Sequence, residues 1–293
     1  MLFKGVGTAL ITPFKDYNID FETAERLINM QIDAGTDAIV LSGTTGEAPT
    51  LDFDEKKKLF EFGREIIGGR VPMIAGTGTN NISEVIRLSE MAQKAGADGL
   101  LINNPYYNKS SDDGIIASYT AVSKEVDVPI IVYNVPSRTA KNITAEVALE
   151  LCRIPHIEAF KEACGDISQI VEFMARKPEH IAVYSGNDDQ TYSLLTLGGM
   201  GVICTCSNII PERMCAITDA FFSGDTEASR KYQFEIIDLF KAIFCEANPI
   251  PLKTAMGLAG LAEEEMRLPL VPLKGAKLEM LKQALIRNGI NIK

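Results

Sequence analysis

Short apolar runs bounded by Gly, Pro or Asn recur along the chain, and longer segments with a helical apolar period lie between them. Eight of the runs read as strands: residues 6–11, 38–41, 73–76, 99–102, 130–133, 159–161, 182–185 and 202–204. Their apolar positions are continuous rather than alternating, as expected of parallel strands covered by helices on the outside. The intervening stretches carry the helical period, for example at 21–34, 54–67, 82–95 and 145–152. Ala34-Gly35-Thr36-Asp37 and Ala95-Gly96-Ala97-Asp98 repeat one device just before two of the strands, with a Gly placed to close the preceding helix. Strict strand–helix alternation, at spacings of roughly 20–35 residues, predicts βα units, and eight of these close into a (β/α)8 TIM barrel of about 250 residues.

An open doubly-wound sheet is the competing architecture. Its dinucleotide fingerprint is missing, because Gly76-Thr77-Gly78-Thr79-Asn80-Asn81 lacks the final glycine, and no P-loop lysine motif exists. After Cys204, 89 residues remain, more than one closing helix needs, and they look helical at 212–222, 226–244, 251–261 and 273–287. The expected organisation is therefore a catalytic barrel over residues 1–224 and a C-terminal helical extension over 225–293. Residues 190–211 carry no charge and are long enough to raise the question of a membrane span. Their glycines at 198, 199 and 201, with Ser193, Thr196, Thr205 and Ser207, divide them better into helix, turn, buried strand and loop.

The charge balance sharpens the picture. Twenty-nine basic residues against 39 acidic ones give a net −10, which disfavours nucleic acid and anionic membranes as partners. Residues 205–293 hold 11 of each sign, so the whole excess belongs to the part that carries the eight strands. Lys56-Lys57-Lys58, the only cationic run, reads as a solvated helix face. Six cysteines without a CxxC point to reduced thiols in a cytoplasmic compartment, with Cys204 and Cys206 as core residues of the last strand. His156 and His180 stand isolated, so no metal site is expected, and no secretory leader follows Met1.

Barrel chemistry sits at the carboxyl ends of strands. Lys161 closes the run Ile157-Glu158-Ala159-Phe160, where burial would lower its pKa and supply a neutral amine able to attack a carbonyl. A lysine snorkelling to the rim, or pairing with Glu162, is the alternative. Tyr133 ends another strand and is either a proton carrier or an amphipathic core residue. Arg138 follows in the same loop as a bidentate fork for a carboxylate or as a surface ion-pair partner. Ser42-Gly43-Thr44-Thr45-Gly46-Glu47 could present amides and hydroxyls to an anion, or be a flexible turn. The loops after the seventh and eighth strands hold no Lys or Arg, which argues against phosphate at the usual barrel site.

Together, Gly43-Thr44-Thr45-Gly46-Glu47, Tyr133-Asn134-Val135-Pro136-Ser137-Arg138-Thr139, Lys161-Glu162, Ser185-Gly186-Asn187-Asp188 and Asn248-Pro249-Ile250-Pro251-Leu252-Lys253 resemble one family across nearly the whole chain. It is the dihydrodipicolinate synthase and N-acetylneuraminate lyase family of pyruvate-dependent class I aldolases. The arginine in the Tyr-Asn-Val-Pro-Ser-Arg-Thr motif implies the synthase branch, which condenses pyruvate with aspartate semialdehyde on the diaminopimelate route to lysine. A sialic acid lyase or a keto-deoxy sugar acid aldolase is the alternative within the family. The resemblance implies that Lys161 forms a Schiff base with pyruvate, without a cofactor. It further implies that Tyr133, Thr44 and Tyr107 relay protons, that Thr45, Gly186 and the Ile203 carbonyl hold the pyruvate end, and that Arg138 clamps the second carboxylate.

In the family the residue matching Tyr107 reaches into a neighbouring subunit, which implies a homo-oligomer, usually a tetramer built as a dimer of dimers. Asn80, Glu84 and Tyr106 match parts of a lysine-binding pocket found in some members. Here Ala48-Pro49, Phe53 and Lys56 stand where feedback-sensitive relatives carry histidines, and a cation at Lys56 disfavours a cationic effector. Weak or absent inhibition by lysine is the expectation, read by titrating lysine into an activity assay.

Overall fold

The computed structural model describes residues 1–293. Eight strands, β1 (Gly5–Ala9), β2 (Ala38–Leu41), β3 (Met73–Gly76), β4 (Gly99–Asn103), β5 (Ile130–Asn134), β6 (Ile157–Glu162), β7 (Ala182–Ser185) and β8 (Gly201–Cys204), pair in parallel and close into a barrel with β1 against β8. The helices between them are α1 (Phe21–Asp33), α2 (Phe53–Ile67), α3 (Ile82–Lys94), α4 (Asp112–Ser123), the single turn α5 (Pro136–Thr139), α6 (Ala145–Leu151), α7 (Ile167–Arg176) and α8 (Thr191–Thr196). α9 (Pro211–Phe222) follows β8, and then α10 (Thr226–Glu235), α11 (Ile237–Ile243), α12 (Ile250–Leu258) and α13 (Gly275–Arg287).

The architecture is the expected (β/α)8 barrel, with small departures that have local causes. The first strand ends at Ala9 rather than at residue 11, because the Ile11 amide donates to the Asn208 side chain instead of to a neighbouring strand. Residues 226–244 form two helices, not one, with Ile236 fully buried at the break. A short hairpin, Phe14–Lys15 against Asn18–Ile19, had no signal in the apolar pattern. The uncharged stretch at 190–211 is indeed divided into α8, a turn, β8 and a loop, and no helix is long and apolar enough to cross a membrane. Cys204 lies on β8 and Cys206 in the turn past its end, both fully buried, and all six cysteines are free.

The two repeats before strands work as a pair of matched devices. Gly35 and Gly96 take φ +88 and +87, the left-handed conformation that ends a helix without a Cβ penalty. The aspartates two residues later each cap a neighbouring strand: Asp37 accepts the Val6 amide at 2.7 Å and Asp98 the Met73 amide at 2.8 Å.

Alternate strand residues face inward, including Val40, Ile74, Leu101, Ile131, Ala159 and Ile203. Phe3, stacked on Tyr184 at 4.2 Å, fills the lumen before β1 begins. The lumen is thus closed at the amino-terminal end and leaves polar inward positions only at the carboxyl end.

Candidate active site

β5 and β6 pair so that Tyr133 lies beside Lys161 and Asn134 beside Glu162. Because side chains alternate across a strand, the first pair points into the barrel and the second into the outer layer. Lys161 is 5 % exposed, and its Nζ sits 4.3 Å from the centroid of the Tyr133 ring. Glu162 therefore does not pair with Lys161. Its carboxylate accepts from Asn134 Nδ2 at 3.0 Å and from the Cys164 amide at 2.7 Å, and burial raises its pKa. Gly186 leaves room for the lysine stem, since a Cβ there would come within 3.1 Å of Lys161 Cγ and Cε.

Burial lowers the Lys161 pKa to about 8, with the Asp188 carboxylate working the other way. Relative to an ordinary lysine, holding this amine protonated at neutral pH costs the fold about 3 kcal/mol. Burial also raises the Tyr133 phenol to about 12, opposed by the Arg138 charge and by the Thr44 side chain. Tyr133 is thus a neutral O–H at working pH, able to donate and accept. Asp188 is itself fully buried at the end of β7, where it accepts the Cys206 amide at 2.7 Å and the Thr205 amide at 3.1 Å.

The 42–47 loop is not a flexible turn. Ser42 and Glu47, neither of them glycine, take φ +55 and +54, a conformation that costs roughly 1–3 kcal/mol each and persists only where the surroundings over-determine it. Thr45 is buried, and its hydroxyl accepts from Asn248 Nδ2 at 2.9 Å and meets Thr205 Oγ1 at 3.4 Å. Asn248 lies just before α12, so the C-terminal extension supplies a side chain to the barrel mouth. α5 carries Arg138 to the exposed rim, where its Nη2 donates to the Asn248 carbonyl at 2.9 Å and its other nitrogens remain open to the cleft.

A cavity of about 240 Å³ opens beside this group, lined by Thr44, Tyr133, Arg138, Tyr106 and Lys56 among others. It is smaller than the roughly 300–1,000 Å³ of drug-sized pockets and suits molecules of a few carbons. Thr45, Lys161, Gly186 and Ile203 are not in its lining; the first two and Ile203 are buried and Gly186 is half-buried. Tyr107 is not brought to this chain's own site: it is 91 % exposed, with φ +67, on the loop after β4. Asn80 and Glu84 are at the start of the α3 side, where the Asn80 carbonyl accepts from Asn108 and Glu84 is held by Arg87 at 3.0–3.1 Å. Lys56 departs from the expected solvated face: it is buried while Lys57 and Lys58 are exposed, and that burial lowers its pKa against the charges of Glu84, Asp52 and Glu55.

Three contributors had no role in the sequence reading: Asp188, Asn248 and Thr205. The first two stand inside the quoted motifs, so a signal existed, but only the closed barrel brings residues 45, 188, 205 and 248 together.

The chain matches the model of the dihydrodipicolinate synthetase family over residues 2–288. It is 46 % identical over 290 residues to the 4-hydroxy-tetrahydrodipicolinate synthase of Thermoanaerobacter sp. (strain X514), covering 99 % of this chain and 98 % of that one. The crystal structure of dihydrodipicolinate synthase from Thermotoga maritima superposes with a TM-score of 0.97 at 41 % identity, covering 99 % and 100 % of the two chains. The chloride-inhibited enzyme from Acinetobacter baumannii, complexed with pyruvate, superposes with a TM-score of 0.96 at 36 % identity, over 99 % and 100 %.

Proposed function

The chain belongs to the dihydrodipicolinate synthetase family and has the activity of a 4-hydroxy-tetrahydrodipicolinate synthase, a lyase of the class I aldolase type, and we propose that Lys161 is its Schiff-base lysine. The observation that carries this reading is the pairing of Lys161 with Tyr133 on the inward face of the barrel, where burial brings the amine to a pKa of about 8. A usable fraction of it is neutral at physiological pH.

The neutral amine attacks the ketone carbon of pyruvate. The carbinolamine loses water and leaves an iminium on Lys161 Nζ. Loss of a methyl proton converts the iminium into an enamine, which attacks the aldehyde carbon of aspartate semialdehyde. The amino group of the new chain then displaces Lys161 and closes the ring. Protons move through the hydroxyls of Tyr133 and Thr44, with Tyr107 as the outer member. The protonated imine is the electron sink, so the reading calls on no metal or cofactor.

Thr45 and the amides of the 43–47 loop hold the pyruvate carboxylate, with Gly186 and the Ile203 carbonyl at the same end. Arg138 clamps the carboxylate of the second substrate. Both substrates carry a carboxylate, pyruvate as a net anion and the semialdehyde beside its own ammonium, and the chain is −10 overall, so these donors act at contact range where the distant field does not help. The exposure of Tyr107 supports a homo-oligomer in which this residue enters a second copy's site; the assembly belonging to this reading is a dimer of dimers, and its place the cytoplasm, which six free cysteines suit.

Borohydride reduction in the presence of pyruvate, followed by peptide mass mapping, tests the assignment. The expected label is on Lys161 alone, and equal labelling of wild type and Lys161→Ala would sink it. Comparing aspartate semialdehyde with N-acetylmannosamine as acceptor separates the synthase reading from the lyase alternative.

A further inference from the structure

Glu47 ends the strained loop and is 1 % exposed, with its carboxylate gripped by two groups of the C-terminal extension. Lys253 Nζ, on α12 and fully buried, donates to Oε1 at 2.5 Å, and the Arg267 amide donates to Oε2 at 3.0 Å. The same ammonium donates to the Thr12 carbonyl at 2.9 Å, and the Thr12 hydroxyl donates to the Gly46 carbonyl at 2.7 Å. Asn248, just before α12, holds Thr45 from the other side. The turn Thr44-Thr45 is thus fixed by the start and the middle of one helix that lies outside the barrel.

A buried ion pair is a poor source of net stability, because desolvation offsets its attraction, whereas its geometry is well specified. Two left-handed non-glycine residues at the loop ends need such specification to persist. We infer that the Glu47–Lys253 pair is a positioning device for the pyruvate end of the site, by which the C-terminal extension holds the Thr44–Thr45 turn in the conformation that receives a carboxylate. The inference rests on the reading of that turn as the carboxylate holder.

The double variant Glu47→Gln/Lys253→Met of the full chain leaves no lone charge in the interior and should remain folded. Its half-saturating pyruvate concentration, read by borohydride trapping and by turnover, is expected to rise about tenfold or more, the loss of one charged-donor interaction. The KM for aspartate semialdehyde, whose carboxylate Arg138 holds, should stay within about threefold, a selectivity that a merely structural pair has no reason to produce. A folded double variant with wild-type pyruvate saturation overturns the inference. Should that variant not fold, Glu47→Asp, which keeps the charge but shortens its reach to Lys253, decides by the same readout, again with unchanged pyruvate saturation as the overturning result. Failure of wild type to trap pyruvate on Lys161 would instead remove the functional reading beneath it.

Discussion

Lys161 and Lys253 are both buried, 5 % and 0 % exposed, the first on β6 inside the barrel and the second on α12 of the extension. Lys253 is enclosed by partners: the Glu47 carboxylate, the Thr12 carbonyl and the face of Phe14 at 4.2 Å. Lys161 has the Tyr133 ring and the field of Asp188, and forms no ion pair. Burial lowers the pKa of both, but only for Lys253 does a bonded carboxylate work against it directly. One side chain in two environments is therefore paired in one case and, in the other, left with the unpartnered amine that the proposed Schiff-base chemistry needs. What separates them is not burial, which they share, but whether the charged form has been given partners.

The contrast can be broken at either end. The largest effect is expected from Lys161→Met, which should lower turnover on the order of 10⁴-fold or more while raising stability by up to about 3 kcal/mol, because a desolvated ammonium is replaced by an apolar side chain. Urea denaturation beside an activity assay checks both, and a less stable variant would mean that Lys161 is compensated after all. Lys253→Met should do the opposite to stability, costing about 3–5 kcal/mol by leaving Glu47 buried alone. Most of that loss should return in the double variant with Glu47→Gln, as a melting series would show.

Arg138→Lys keeps the charge but loses the planar fork, and should reduce kcat/KM for aspartate semialdehyde by about tenfold to a hundredfold, with pyruvate trapping unchanged. The smallest effect concerns pH. The kcat/KM for pyruvate should rise by about one decade per unit toward pH 8 and level off above it, since only the neutral amine attacks. Because the folded-state pKa lies below the unfolded one, the unfolded chain binds the extra proton between them, so the Lys161 contribution to stability should improve as pH rises from about 8 toward about 10.4. Asp188→Asn removes the charge that raises the Lys161 pKa, so the midpoint of the rate profile should fall below that of wild type. A midpoint that stays or rises would contradict this electrostatic role.

Much of this was legible along the chain. Eight continuous apolar runs, with glycines closing the helices before them, specify the barrel because strand and helix periods are local properties. Lys161, Tyr133 and Arg138 stood out as candidates because strand ends are where such barrels carry chemistry, and the motifs around them resembled one family. The alternation of side chains along β5 and β6 already implied that Lys161 and Glu162 face opposite ways, although their adjacency suggested a pair. The strain in the 42–47 loop was not legible, since Ser42 and Glu47 are residue types with no preference for left-handed backbone.

By itself the sequence determined the order of the eight barrel strands and the barrel class, and marked the candidate side chains at the strand ends, all of which follow from periodicity and from residue type. Only the tertiary structure decided that Lys253 is buried against a carboxylate while Lys161 is buried without one. It also decided that the extension, separated from Glu47 by 206 residues, completes the mouth of the barrel. The physical reason is that desolvation and partnering are set by atoms brought together across the fold, and a pKa or a buried ion pair has no signature in local order.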